Sequence, residues 1–143
     1  MYIGADFYCC FIETFGRLDR GTIDFRVVDR SSLETRCISQ ITVTRPLRLV
    51  DLTGPGLRRI GADGRLCTGD HTQARLWALA LWGHPEQPDG ILYPARHDPS
   101  RKSAALFDRA ADAVHIGARQ RLIDLPRRRL EAVLNRYEFA IVE

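Results

Sequence analysis

Lysine is nearly absent from this chain. Of its 21 basic residues all but Lys102 are arginine. Arginine grips phosphate or carboxylate through a planar fork, whereas lysine is a mobile point charge. Anionic ligands therefore suit the composition. However, 18 acids are interspersed among the bases and the net charge is only +3, which disfavours a general nucleic-acid binder. A GC-rich genome explains the arginine at least as well. Cysteine is sparse too: Cys9, Cys10, Cys37 and Cys67, with no C-x-x-C pair. That argues against a zinc site and against a disulfide framework. The four read as buried thiols in a reducing compartment. There is no apolar run long enough to span a membrane and no basic, then apolar, leader of the signal-peptide kind, so the expected location is the cytoplasm. Neither a Ser/His/Asp order nor a Cys/His signature stands out, and the GPG at 54–56 is too short for a phosphate-binding glycine loop. No internal repeat or low-complexity segment is visible.

What is present is an ordinary globular composition. The chain has 143 residues, 45% of them apolar and 27% charged, enough for one domain with a proper core. Met1 to Gly4 reads as the end of a short strand. Asp6 can cap a helix running to about Phe15, with Gly16 near its end. That helix is apolar nearly all round, the mark of a buried one. SQITVTRPLRLVDLT gives a strand through Ile41 and Val43, a break at Pro46, and a second strand through Leu47, Leu49 and Leu52. TGPGLRRIGADGR is turn-rich, with room for one helical turn. Asp70 and Gln73 form a capping box for the helix GDHTQARLWALALWG, which Gly83 and Pro85 end. Trp77 and Trp82 on that helix read as core. A strand at Ile91–Tyr93 follows, then SAALF as another. Pro126 opens a last helix with Leu130, Val133, Leu134 and Tyr137 on one face, and the arginines at 127–129 read as its solvated side. EFAIV closes the chain as a strand. Short strands and helices without regular alternation make this an α+β fold.

Glu13 is the one charge inside FYCCFIETF. A carboxylate among apolar groups costs several kcal/mol unless it is paired. On the residues alone the favoured account is an ion pair with Arg17, one turn later. The other account is a carboxylate held in a cleft to stabilise a developing cation. His71 and His97 read as surface or capping residues. No metal site is expected.

Six segments, taken in order, go further: YIGADFYCCFIETFGR, FRVV, LRLVDLT, GDHTQARLWALAL, DGILYPARHDP and AALFDR. Their order and spacing resemble the RES domain family, from Tyr2 to about Arg109, with a helix and a strand following as they should. The resemblance implies one RES-like domain over residues 1–143, with mixed sheets and surrounding helices similar to ADP-ribosyltransferase toxins. It implies a toxin of a toxin–antitoxin pair that degrades NAD at the nicotinamide–ribose bond, by hydrolysis or phosphorolysis. NAD would be the substrate, phosphate a possible co-substrate, and no cofactor is needed. The implied partner is a helix-turn-helix antitoxin that covers the active site, so nucleic acid would be reached only through it. By the same resemblance Glu13 matches the family glutamate and Tyr2 the tyrosine before it, whose ring and hydroxyl suit nicotinamide or ribose. Arg17 and Arg96 are candidates for the pyrophosphate.

Two features depart from the family pattern. Its serine falls where this chain has Ala95, which has no hydroxyl to donate. Its arginine lies upstream of the tyrosine, and this chain begins one residue before Tyr2. The expectation is therefore an N-terminally truncated domain, weak or inactive as an enzyme, with apolar surface exposed near Tyr2, Tyr8 and Phe11. An upstream start codon, a gene remnant and a second chain completing the site all stay open. The competing function is a non-catalytic interaction module that keeps the fold to bind an antitoxin or NAD.

Overall fold

The computed structural model describes residues 1–16, 26–69 and 71–143. Both helices and mixed sheets are present, so the fold is α+β. Two compact units emerge. The first comprises Met1–Glu13 with Val43–Val114, and the second Thr14–Thr42 with His115–Glu143. Among the described residues, no helix is long and apolar enough to cross a membrane.

The first unit is built on a four-stranded sheet in the order β1-β6-β5-β4. Its strands are β1 (Tyr2–Gly4), β4 (Leu49–Asp51), β5 (Gly90–Pro94) and β6 (Lys102–Leu106). β6 lies antiparallel between β1 and β5, and β4 joins β5 in parallel. Side chains alternate across a strand, so the register divides the sheet into two faces. Ile3, Leu49, Leu92, Ala104 and Leu106 face one way and pack with Ala110 and Val114 into an apolar core. Tyr2, Gly4, Ile91, Tyr93, Ser103 and Ala105 occupy the other face, because Tyr2 pairs with Ala105, Gly4 with Ser103, Ile91 with Ala105 and Tyr93 with Ser103.

Helix α1 (Phe7–Phe15) begins where the sequence places it. The Asp6 carboxylate accepts the Cys9 N–H at 2.8 Å, an N-cap that satisfies a donor the first turn leaves free. α1 crosses the second face of the sheet at very close range. A Cβ on Gly4 would lie 2.7 Å from Cys10 Sγ and 3.0 Å from the Cys10 nitrogen. Cys9 Sγ sits 3.2 Å from Ser103 Oγ and from the Lys102 carbonyl. The close seating requires glycine at position 4.

The entry to β5 rests on Asp89, which is buried. Its carboxylate takes Nη1 and Nη2 of Arg45 at 3.1 and 2.9 Å and the Arg48 N–H at 2.8 Å. Hydrogen bonding to the Arg45 guanidinium and the Arg48 N–H holds its pKa below the ordinary carboxylate value.

Between β4 and β5 run two short helices, α3 (Gly56–Arg59) and α4 (Arg65–Thr68), and then α5 (His71–Trp82). The turn-rich reading of 53–65 holds apart from the second short helix. Asp70, the expected cap of α5, lies outside the described residues. The two tryptophans correct the sequence reading, because neither is core. Trp77 is only half-buried and Trp82 is 43% exposed. The helix is apolar on more sides than its neighbours cover, so Leu76, Leu79 and Trp82 form an outward stripe. Trp82 is nevertheless fixed: its indole N–H donates to Asp108 at 2.9 Å, and the Arg109 guanidinium lies over its ring.

In the second unit, β2 (Arg26–Asp29) pairs in parallel with β8 (Phe139–Val142), and β3 (Cys37–Val43) pairs with β7 (Val114–Arg121). α2 (Arg30–Thr35) and α6 (Arg127–Arg136) complete it. α6 starts after Pro126 and buries Leu130, Val133 and Leu134, with Tyr137 at its end, as its pattern predicts. The arginines at 127–129 are exposed. β2, α2 and β7 are not evident in the sequence. β2 is only four residues long, and β7 carries Gly117 and two arginines instead of an apolar alternation. Cys37 is a second correction: it is exposed, because β3 belongs to a two-stranded ladder whose residues are largely uncovered. Cys9 is buried, and Cys10 and Cys67 are half-buried.

Replacing Gly4 by alanine forces α1 off the sheet. The expected cost is about 1–3 kcal/mol, read as a lower denaturant midpoint with an unchanged slope.

Candidate active site around Glu13

The spacing within α1 determines what Glu13 meets. Cys9 and Glu13 are four residues apart and therefore share a face of the helix. Cys9 rests against Ser103, and Ser103 is the cross-strand partner of Tyr93. Glu13, one turn further along, is thus carried toward Tyr93 and the segment that leaves β5. Its Oε1 accepts the backbone N–H of His97 at 3.0 Å. The side chain is half-buried, and this bond supplies the partner that its position demands. Arg17, the partner favoured on the residues alone, lies outside the described residues.

Tyr93 reports the same neighbourhood. Burial, then the negative charge of Glu13 and the nearby Tyr2, Cys9 and Cys67, push its pKa up to about 12. It is a neutral phenol at physiological pH, able to donate and accept a hydrogen bond. Burial likewise pushes the Cys9 and Cys67 thiols up, so neither is an activated nucleophile.

The segment after β5 is braced. The Ala95 N–H donates to the Arg101 carbonyl at 2.9 Å, and the Arg101 N–H to the Asp98 carbonyl at 2.9 Å. Asp98 Oδ1 takes the Ser100 N–H and hydroxyl at 3.1 and 2.5 Å. The Arg101 side chain then ties this turn to the start of α1. Its Nη1 meets Asp6 Oδ2 at 2.5 Å, its Nε lies 3.7 Å from Asp98 Oδ2, and its guanidinium covers the Tyr8 ring. One arginine thus links the cap of the helix that carries Glu13 to the turn that holds Glu13.

Of the residues singled out in the sequence, Glu13, Tyr2, Ala95 and Arg96 fall in this unit. Tyr2 is 81% exposed on the sheet face that Tyr93 shares. Arg96 is exposed, next to the N–H that holds Glu13. Ala95 is 1% exposed, and its own N–H is already bonded to Arg101. Of Tyr2, Tyr8 and Phe11, only Tyr2 is exposed, and Met1 beside it is exposed as well. Tyr8 is half-buried beneath Arg101, and Phe11 is 2% exposed, a correction that follows from α1 burying its apolar side. His97 is a further correction. It is half-buried, not a surface or capping residue, because its turn packs against Glu13. Sequence reasoning missed Tyr93, His97 and Arg101 as site residues. The signal for the turn was legible as D-P-S, an aspartate placed to bond the backbone two residues on. Among the described residues, no group of three His, Cys, Asp or Glu side chains could hold a metal ion.

The profile of the RES domain family matches residues 1–128. The chain belongs to the RES domain family. A relative from Sinorhizobium fredii (strain NBRC 101917 / NGR234), named "Probable toxin y4kH", is 33% identical over 111 residues, which cover 76% of this chain and 84% of that protein. No solved structure matches the chain. Within this RES domain, Glu13 bonds the turn that leaves β5, and Tyr2 lies on β1, which β6 separates from β5.

Ultraviolet titration of the phenolates tests the enclosure of Tyr93. One tyrosine should ionise near pH 12, and that step should vanish in Tyr93→Phe. By linkage, a raised folded pKa lends stability that is complete below the unfolded value of about 10 and is lost as pH rises through the folded value. The alkaline loss of stability should accordingly be smaller in Tyr93→Phe.

Proposed function

We propose that this RES domain is the toxin of a toxin–antitoxin pair, and that it degrades NAD at the bond between nicotinamide and ribose. The observation that carries the reading is the Glu13 carboxylate, held by the His97 N–H on the sheet face of Tyr93. Family membership and a relative named a probable toxin support it. Breaking an N-glycosidic bond develops oxocarbenium character on the ribose. A fixed carboxylate stabilises that cation or orients the acceptor, water or phosphate. Tyr2 offers an accessible ring to nicotinamide or ribose, and Arg96 an exposed guanidinium to the pyrophosphate. NAD is then a substrate, no cofactor is needed, and the compartment is the cytoplasm. A helix-turn-helix antitoxin is the proposed partner.

The second reading, a non-catalytic module that binds an antitoxin or NAD, is favoured by one observation. Ala95 supplies no hydroxyl, and its N–H is bonded to the Arg101 carbonyl, so the backbone does not stand in for the family serine. The proposed enzyme is accordingly a weakened one.

An NAD-depletion assay on folded protein, with and without phosphate, decides between the two. Loss of NAD should fall by about 100-fold or more in Glu13→Ala, and a dependence on phosphate would name the acceptor. A rate equal to that of Glu13→Ala overturns catalysis and leaves the binding module. Ala95→Ser restores one hydroxyl and should raise kcat/KM about tenfold, the worth of one well-placed hydrogen bond. No gain would mean that position 95 does not touch the substrate.

A further inference from the structure

The imidazole of His97 is unexplained by the site as described. Its Nε2 is buried and has no hydrogen-bond partner among the described residues. Leaving a buried polar atom unpaired costs about 1–3 kcal/mol, and native structures hold few such atoms. Many stabilising side chains would fit a half-buried position on a turn without that cost. The backbone of the same residue holds Glu13 at 3.0 Å, so the orphaned nitrogen belongs to the turn that sets the carboxylate. It lies two positions after Ala95, where the hydroxyl is missing.

We propose that His97 is a substrate-binding residue, whose Nε2 is satisfied by a hydroxyl of the ribose that Glu13 serves. This rests on the NAD reading above and names a contact within it. A hydroxyl suits the atom in either tautomer, because it can donate to a bare Nε2 or accept from a protonated one. The carboxylate beneath the sugar and the imidazole beside it then come from one residue's reach, the backbone N–H fixing the first and the side chain providing the second. His97 supplies the polar contact that Ala95 lacks.

Two measurements test this, with ADP-ribose as the probe because it keeps the ribose and cannot be consumed at the nicotinamide bond. In the first, imidazole nitrogen NMR follows the wild-type protein, whose four histidines are separated by the signal lost in His97→Gln. The His97 Nε2 resonance should move most as ADP-ribose saturates. In the second, calorimetry compares variants that keep the backbone N–H to Glu13. His97→Phe should bind ADP-ribose about 10- to 100-fold more weakly, with a thermal midpoint no lower than wild type, since an orphaned polar atom has been replaced by an apolar one. His97→Gln, whose amide nitrogen reaches to a similar place, should recover most of the affinity. A still His97 signal at saturation overturns the proposal, as does full affinity in His97→Phe. If that silence accompanies Glu13-dependent loss of NAD, the proposed function stands without this contact. If wild-type protein neither consumes NAD nor binds ADP-ribose, both fall together. The NMR arm needs no variant to fold beyond the assignment.

Discussion

A single hydrogen bond organises the first unit: the His97 backbone N–H to the Glu13 carboxylate. Glu13 is the one charge on an otherwise apolar helix, and a half-buried carboxylate without a donor would draw water into the sheet or withdraw from it. The bond fixes the rotation of α1 about its own axis, so Cys9 falls on Ser103 and the cap at Asp6 falls within reach of Arg101. Arg101 closes the circuit by gripping the same turn through Asp98. The helix is therefore held at its cap and near its end by one segment of seven residues, Ala95 to Arg101.

The sheet beneath divides the labour of its two faces. Small residues make that possible. Gly4 admits α1 on one side, and Ala104 with Ala110 admits the core on the other. A bulkier residue at position 4 would separate the carboxylate from Tyr93 without touching either. The side that holds Tyr93 is a low-dielectric environment next to a negative charge, which is why its phenol resists ionisation. Catalytic carboxylates are effective in such surroundings, where a developing cation feels them strongly.

Local chemistry was the part of this molecule legible in the sequence. Asp6 as a cap, Pro126 as a helix start and the apolar face of α6 depend on neighbours a few residues away, and each stands where its residues place it. The Ile91–Tyr93 strand was marked by its flanking turns. What could not be read depends on distant segments. The bond from Glu13 to residue 97 leaves no trace in spacing, and the i,i+4 pairing with Arg17 lies outside the described residues. Trp77 and Trp82 looked like core because hydropathy states that a residue prefers to be covered, not that a cover exists. β7 is held by backbone pairing with β3, which its polar side chains do not announce. The order of the segments that resemble the RES family led to the family itself, which no periodicity did.

The register of the sheets also governs when the molecule comes into being. β1 waits for β6, a hundred residues later, and β2 waits for β8 at the far end of the chain. Contacts so distant in sequence are slow to form, and a ribosome adds only about 5–20 residues each second. While His97 is still inside the exit tunnel, Glu13 lacks the N–H that holds it and α1 has no sheet to lie on. The contact that sets Glu13 therefore cannot form until the chain has been made past β6.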